Sequence, residues 1–192
     1  RFDPNSEHHL YLFGDSKSGK TTFLRSLARE IVARNTPQEA QIIFVDRRRT
    51  SLGAVPKEYL AAYLTMNESV ASEMAEFAAY LKERLPGDDV TPEQLAHRSW
   101  WKGPEFWVLV DDYDLVVTSE GNPLAPLQPL LAQAGDVGLH LVITRRMGGA
   151  SGALYERVLR SLIDLGSTGI MLSGNPDEGQ VIGRLKPVRA LP

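Results

Sequence analysis

The sequence contains no cysteine. This absence excludes disulfide bonds, catalysis by a thiol and cysteine-based zinc sites. Long hydrophobic runs are also missing: the longest, such as 106–110, have about five residues, whereas a membrane-spanning helix needs about 18. Histidines number only four, and none stands at metal-ligand spacing from a carboxylate, so we expect no transition-metal centre.

Neither sign of charge is in large excess. Lys and Arg number 21 and Asp and Glu number 24, which gives a net charge of −3. This balance excludes a basic surface covering the whole protein, although a local patch could still bind nucleic acid. Hydrophobic residues make up 43% of the 192 residues, which is typical of one folded domain with its own core. The chain starts without Met, shows no signal peptide and ends at Pro192, so we expect residues 1–192 to be a single domain excised from a longer, multi-domain chain.

Short apolar runs alternate with helical patterns along the chain. The runs predict strands at 9–13, 41–45, 59–65, 106–110, 139–143 and 169–172, with 181–185 as an additional edge. Apolar stripes predict helices over 21–34 and over 127–134, the latter with a stop at Gly135. Another helix is predicted to begin at an Asn67 cap and to stop at 86–87, and a short one to follow a capping box at Thr91. A last helix is predicted over 154–162, after a loop at 148–152. Continuous apolar strands separated by helices indicate an α/β fold, with a mostly parallel sheet and helices on both faces.

The segment 14–21 has the sequence G-D-S-K-S-G-K-T, which matches the P-loop pattern G-x-x-x-x-G-K-[ST]. It lies between a predicted strand and a predicted helix, as a P-loop requires. Its glycines allow consecutive N–H groups to face an anion, and the helix N-terminus adds a partial positive charge. We expect Lys20 to reach the β- and γ-phosphates and the Thr21 hydroxyl to hold Mg²⁺. The residues predicted to bind the nucleotide here are Gly14, Asp15, Ser16, Lys17, Ser18, Gly19, Lys20, Thr21 and Thr22.

An acidic residue, Asp111, follows the predicted strand 106–110. A P-loop site needs an acidic group on a neighbouring strand to orient the magnesium shell. The carboxyl end of a strand in an α/β sheet lies on the rim where ligands bind. We therefore predict that Asp111 is the magnesium-side acid, the alternative being a solvated acidic turn.

Asp112 stands where many hydrolysing P-loop ATPases carry Glu, which polarises the attacking water. Asp is one methylene shorter, so its carboxylate ends about 1.5 Å short of the same point. A misplacement of that size can lower a rate about 100-fold. We predict that Asp112 is the catalytic residue and supports only weak hydrolysis, unless a small backbone shift brings it to the water.

Other polar and aromatic residues near strand ends have two interpretations each. Thr144 follows a predicted strand and either senses the γ-phosphate or caps the strand. Arg145 or Arg146 either acts as an arginine finger on a neighbouring domain or is solvated. The arginines at 47–49 favour a domain contact or a solvated patch over nucleic-acid binding, since no aromatic residues are interleaved. The tryptophans at 100–101 indicate a packed face more than a docking site.

Four segments together resemble one family. They are 7–22, 44–52, 110–115 and 138–146, and they are similar to the FtsK/SpoIIIE-type ATPase domains of type VII (ESX) secretion motors, the EccC family. The segments 45–49 and 175–179 most resemble the C-terminal, third ATPase domain. The resemblance covers nearly the whole chain, from about Glu7 onward.

This resemblance implies a RecA-like P-loop NTPase fold, with ATP and Mg²⁺ as cofactors. It implies a place among neighbouring ATPase domains of one motor, at the cytoplasmic face of the inner membrane, with membrane contact only through the rest of the complex. The implied partner is the C-terminal export signal of a WXG100-type substrate, and no nucleic acid is expected. Later domains of this family are thought to hydrolyse ATP poorly, with which Asp112 agrees. The alternatives are an FtsK-type DNA translocase domain and a generic, freely hydrolysing P-loop NTPase.

Overall fold

The protein folds around a parallel β-sheet, and the computed structural model describes residues 7–189. Six strands follow one another across the sheet in the order β3-β2-β4-β5-β1-β6, and every neighbouring pair is parallel. The strands are β1 (His9–Gly14), β2 (Ala40–Asp46), β3 (Leu60–Leu64), β4 (Glu105–Asp111), β5 (Leu139–Arg146) and β6 (Thr168–Met171). The predicted α/β fold with a mostly parallel sheet is confirmed.

Helices connect the strands. They are α1 (Lys20–Arg34), α2 (Asn67–Lys82), α3 (Pro92–His97), α4 (Tyr113–Val116), α5 (Ala134–Val137), α6 (Ala150–Ala153) and α7 (Arg157–Asp164). Among residues 7–189, 3₁₀ helices span Lys57–Tyr59, Ala125–Gln133 and Pro176–Glu178. Within residues 7–189, none of the helices combines the length and the apolar character that crossing a bilayer requires.

Helices cover both faces of the sheet, as β1 illustrates. Successive side chains of a strand point to opposite faces. Leu10 and Leu12 pack into a core with α1 on one face, while Tyr11 and Phe13 pack into a larger core with α2 and α7 on the other. Because both sets are buried, β1 is apolar throughout rather than alternating with polar residues.

The carboxyl ends of four strands meet along one edge of the sheet. The register places Gly14 of β1 level with Arg146 of β5, and Asp46 of β2 level with Asp111 of β4. Helix α1 also begins at this edge, because only a short loop separates the end of β1 at Gly14 from the start of α1 at Lys20. Residues far apart in the sequence therefore surround the start of α1.

The helix predicted over 127–134 differs in type and in extent. A 3₁₀ helix spans Ala125–Gln133 and contains Pro129, which has no N–H to donate to an α-helical hydrogen bond. The short helix α5 follows and contains Gly135, the predicted stop. The chain leaves α5 at Gly138, whose φ of 68° lies in the left-handed region that glycine tolerates best.

Further element boundaries also differ from the predicted ones. The N-cap of α2 is Met66, not Asn67, whose side chain instead bonds Arg47 and the Val116 carbonyl. The predicted loop at 148–152 contains the start of α6, and the helix predicted from 154 begins only after its cap at Glu156. The predicted strand at 181–185 is wrong, since only an isolated bridge forms there. Strand β6 is a half-buried edge strand rather than a core strand.

A buried histidine, His9, begins β1 in a neutral form. Its Nδ1 accepts the Leu141 N–H at 3.1 Å, and its Nε2 therefore carries the proton that is donated to the Leu131 carbonyl at 3.0 Å. A second proton on Nδ1 would face the Leu141 N–H. Burial lowers the pKa of His9 from 6.5 to about 4.

We expect the protein to lose stability in mild acid through His9. Between about pH 6.5 and pH 4 the unfolded chain binds a proton at His9 that the folded chain does not. The stability that neutral His9 contributes is therefore fully present above this window and is lost as the pH falls through it. From pH 7 to pH 5 the free energy of unfolding should fall by about 2 kcal/mol from this residue. Urea titrations at both pH values measure it. His9→Asn does not titrate and should reduce the difference; an equal difference in this variant would exclude His9 as the source.

Candidate functional site

The loop between β1 and α1 has the backbone geometry of an anion-binding turn. Lys17 and Gly19 have φ values of 62° and 101°, both in the left-handed region. When residues in right-handed and left-handed backbone conformations alternate, successive N–H groups point into one concavity. A Cβ on Gly14 would lie 2.4 Å from Ser18 Oγ, so a larger residue there would force the Ser18 side chain to move.

Lys20, the first residue of α1, is buried, with only 6% of its surface exposed. Its Nζ donates to the carbonyls of Gly14 at 3.2 Å and Asp15 at 2.9 Å. Across residues 7–189, no carboxylate forms an ion pair with this ammonium group. A buried cation is strongly stabilised by an opposite charge. The loop and Lys20 together are therefore suited to bind an anion such as a nucleotide phosphate.

Oxygen atoms converge beside this loop around Asp111, which is 2% exposed. Thr21 Oγ1 donates to Asp111 Oδ2 at 2.6 Å, and Thr50 Oγ1 approaches the same oxygen at 3.3 Å. The fold therefore brings together two predicted site residues, Thr21 and Asp111, that are 90 positions apart in the sequence. Hydroxyl and carboxylate oxygens are the ligands that Mg²⁺ prefers, and the donor set fits this ion.

Thr144 lies behind Asp111 and is fully buried. Its hydroxyl donates to Asp111 Oδ1 at 2.6 Å and accepts the Asp112 N–H at 3.2 Å. In this structure Thr144 therefore orients both acidic residues at the end of β4. A contact of Thr144 with a γ-phosphate stays a prediction.

Asp112 is held in an unusual conformation beside Asp111. Its φ of 48° is left-handed, and its N–H donates to Asp111 Oδ1 at 3.1 Å as well as to Thr144. Its Oδ2 accepts Arg48 Nε at 3.0 Å, and 13% of its side chain is exposed. Burial raises the pKa of Asp112, and the neighbouring Asp111 raises it further, while Arg48 lowers it.

Two residues at the end of β2 and in the loop after it, Asp46 and Arg48, also belong to this site, and the sequence analysis did not identify Asp46. Asp46 is 1% exposed and accepts Ser51 N–H at 2.7 Å, Arg48 N–H at 3.0 Å and the Tyr63 hydroxyl at 2.6 Å. The available signal was an acidic residue at the carboxyl end of a buried strand, the same signal that identified Asp111. Asp46 fixes the loop that brings Arg48 to Asp112.

The remaining arginine candidates are engaged within this chain. Arg145 donates to the carbonyls of Arg146, Gly148 and Gly149. Arg146 pairs with Asp114 at 2.6 Å. Neither extends freely from the site, and a finger role for either stays a prediction.

The tryptophans at 100–101 lie on a packed face, as the sequence indicated. Trp100 Nε1 donates to the Arg84 carbonyl and Trp101 Nε1 to the Asp136 carbonyl. The buried Arg84 guanidinium stacks on the Trp101 ring at 4.1 Å. These contacts fix the segment before β4 against α5.

Comparisons with known proteins identify the family of this chain. The model of the FtsK/SpoIIIE family matches residues 1–147. The chain is 44% identical over 185 residues to the ESX secretion system protein EccC of Thermomonospora curvata, a match that covers 96% of this chain and 14% of that protein. It is 46% identical over 180 residues to the ESX-4 secretion system protein EccC4 of Mycobacterium tuberculosis, covering 94% of this chain and 15% of that protein.

A solved structure is similar over nearly the whole chain. It is described as Thermomonospora curvata EccC (ATPases 2 and 3) in complex with a signal sequence peptide. The TM-score is 0.94 at 43% identity, and the match covers 98% of this chain and 34% of that one. The resemblance to EccC and the expected RecA-like fold are confirmed. The chain spans about one seventh of the length of these two curated relatives.

Proposed function

This chain belongs to the FtsK/SpoIIIE family, and on that basis we propose that it is an ATP-binding domain of a type VII secretion motor, its C-terminal ATPase domain. The similarity to a solved EccC that contains ATPases 2 and 3 supports a place among these later domains, and the segments 45–49 and 175–179 favour the C-terminal one. The chain is then one domain of a longer protein. The motor would act at the cytoplasmic face of the inner membrane, reaching the membrane through its other parts.

The observation that carries nucleotide binding is the buried ammonium of Lys20 in the loop between β1 and α1. Lys20 bonds two carbonyl oxygens and no carboxylate among the described residues. The first N–H groups of α1 have no partners within the helix and point toward the same place. ATP phosphates would complete both sets of interactions, with the backbone of residues 14–22 around them.

Thr21 and Asp111 would hold the magnesium ion that accompanies ATP. When bound, the ion neutralises part of the phosphate charge. Thr144 orients the Asp111 carboxylate through Oδ1, while Thr21 and Thr50 contact Oδ2. These hydrogen bonds hold the Asp111 carboxylate in place before a nucleotide binds.

Coupling, rather than rapid hydrolysis, is the role that we propose for this domain. Asp112 has the shorter acidic side chain and is already paired with Arg48. Bound ATP would stabilise the domain and its packing against neighbouring ATPase domains. An export signal at the C-terminus of a WXG100-type substrate would bind another face, by analogy with the signal peptide in the similar EccC structure.

ATP with magnesium should raise the melting temperature, because it binds only the folded state. Asp111→Asn should remove the magnesium-dependent part of this increase, since the amide keeps an oxygen for Thr144 but presents no charge to the ion. Thermal denaturation with ATP, with and without magnesium, measures the effect. Asp114→Asn removes a neighbouring carboxylate that pairs with Arg146 and should retain the full increase. A magnesium effect that persists in Asp111→Asn would show that Asp111 is not the metal-side acid.

A further inference from the structure

The pair between Arg48 and Asp112 joins the ends of two adjacent strands. Strand β2 ends at Asp46 and β4 ends at Asp111, and the two residues are level in the sheet. Arg48 Nε lies 3.0 Å from Asp112 Oδ2. The cation therefore contacts the acidic side chain at the position expected to act on the attacking water.

Arg48 extends from a loop that is itself fixed. Its N–H donates to Asp46 Oδ1, and the Asp46 carboxylate is held in turn by Ser51 and by Tyr63 from β3. The Arg48 side chain is 54% exposed, whereas that of Asp112 is 13% exposed. The guanidinium group can therefore change position while its backbone stays in place.

The backbone of Asp112 is held in place, so only its side chain can change conformation. Its N–H bonds both Asp111 and Thr144, and its backbone is left-handed. Only the side-chain torsions can direct the carboxylate toward a water molecule, and the bond to Arg48 restrains these torsions. An oxygen that accepts a charge-assisted hydrogen bond from guanidinium is also less available to accept a proton from water.

We propose that Arg48 is a positioning residue that restrains the Asp112 carboxylate and keeps ATP hydrolysis in this domain slow. The inference rests on the proposed function, since it concerns hydrolysis of the ATP bound by residues 14–22. Two features of this chain would then slow hydrolysis: the short side chain of Asp112 and its bond to Arg48. A neighbouring domain or substrate that drew Arg48 away would then release the acid.

The pair itself can be tested without nucleotide. Nitrogen NMR of the arginine Nε–H groups should show a shifted Arg48 resonance in the unmodified chain that moves to the position of a solvated arginine in Asp112→Asn. Arg49 is the matched control, because its side chain forms no bond or ion pair within the described part of the chain. Its resonance should not move. An Arg48 resonance that is unaffected by Asp112→Asn would overturn the proposal.

The effect on hydrolysis follows from the same variants. Single-turnover ATP hydrolysis by Arg48→Gln should be about tenfold faster than by the unmodified chain, within the range that small displacements of a catalytic group produce. Arg48→Lys should give a smaller increase, and Arg49→Gln, which removes the same charge, should give none. Adding Asp112→Asn to Arg48→Gln should abolish the increase. Unchanged turnover in Arg48→Gln would overturn the proposal. Slower turnover would also overturn it, because it would show that Arg48 assists the reaction.

Equilibrium binding of ATP separates this inference from the proposed function. If neither the unmodified chain nor Arg48→Gln binds ATP, the proposed function fails and this inference fails with it. If both bind ATP and turnover does not change, only the inference about Arg48 fails.

Discussion

Replacing Lys20 with alanine is expected to abolish tight ATP binding while leaving the fold intact. The ammonium group is buried, faces the concave loop and pairs with no carboxylate among the described residues. In the unmodified chain, ATP at 100 times its dissociation constant should contribute about 2.7 kcal/mol of stability, which corresponds to an increase of about 5–10 °C in melting temperature for a domain of this size. In Lys20→Ala this increase should disappear.

The control for Lys20→Ala is another lysine-to-alanine change outside the site. Lys82 is exposed at the end of α2, so Lys82→Ala should keep the full response to ATP. Circular dichroism should give the same spectrum for both variants and the unmodified chain. Because the change removes a buried charge without a counter-ion, the nucleotide-free Lys20→Ala protein should be no less stable. Undiminished ATP affinity in this variant would refute the assignment of the phosphate site.

Slow ATP turnover by the isolated chain is the second expected result, well below the roughly 10 per second that is typical of enzymes. Asp112 is short, and its carboxylate is bonded to Arg48. Arg145 and Arg146 are engaged within the chain, so an arginine finger would have to come from a neighbouring domain. Such fingers accelerate GTP hydrolysis by about 10³–10⁵-fold.

Asp112→Glu tests whether the length of this side chain limits turnover. The longer carboxylate should raise the rate, by up to about 100-fold, most clearly when the neighbouring domain is added. The φ of 48° at this position is tolerated better by Asp than by Glu, so the variant should lose about 1 kcal/mol of stability. Asp112→Asn is the control without a carboxylate and should not gain activity.

The outcome of the turnover measurements also decides between two functions. If the unmodified chain hydrolyses ATP briskly by itself, the proposal of a coupling domain is wrong and a freely hydrolysing P-loop NTPase replaces it. If Asp112→Glu and the unmodified chain are both inactive even with the neighbouring domain, another part of the site limits the reaction.

Much of the site could be predicted because its parts are local or follow from strand direction. The P-loop occupies eight consecutive residues between a buried strand and an amphipathic helix, so one pattern identifies it. Asp111 was predictable because parallel strands bring their carboxyl ends to one edge. The 3₁₀ helix at Ala125–Gln133 was missed because its apolar spacing also fits an α-helix, and the effect of Pro129 depends on which hydrogen bonds form.

By itself, the sequence determined the α/β fold, the glycine-rich loop between β1 and α1 and the acidic pair at the end of β4, since each depends on periodicity or on a contiguous motif. Only the tertiary structure decided what these residues contact. Asp46 organises a loop through Tyr63 on the adjacent strand, Thr144 lies behind Asp111, and Arg48 bonds Asp112. These pairs are 17 to 64 positions apart, and their contacts depend on strand register and on the direction of each side chain, which packing of the whole sheet sets.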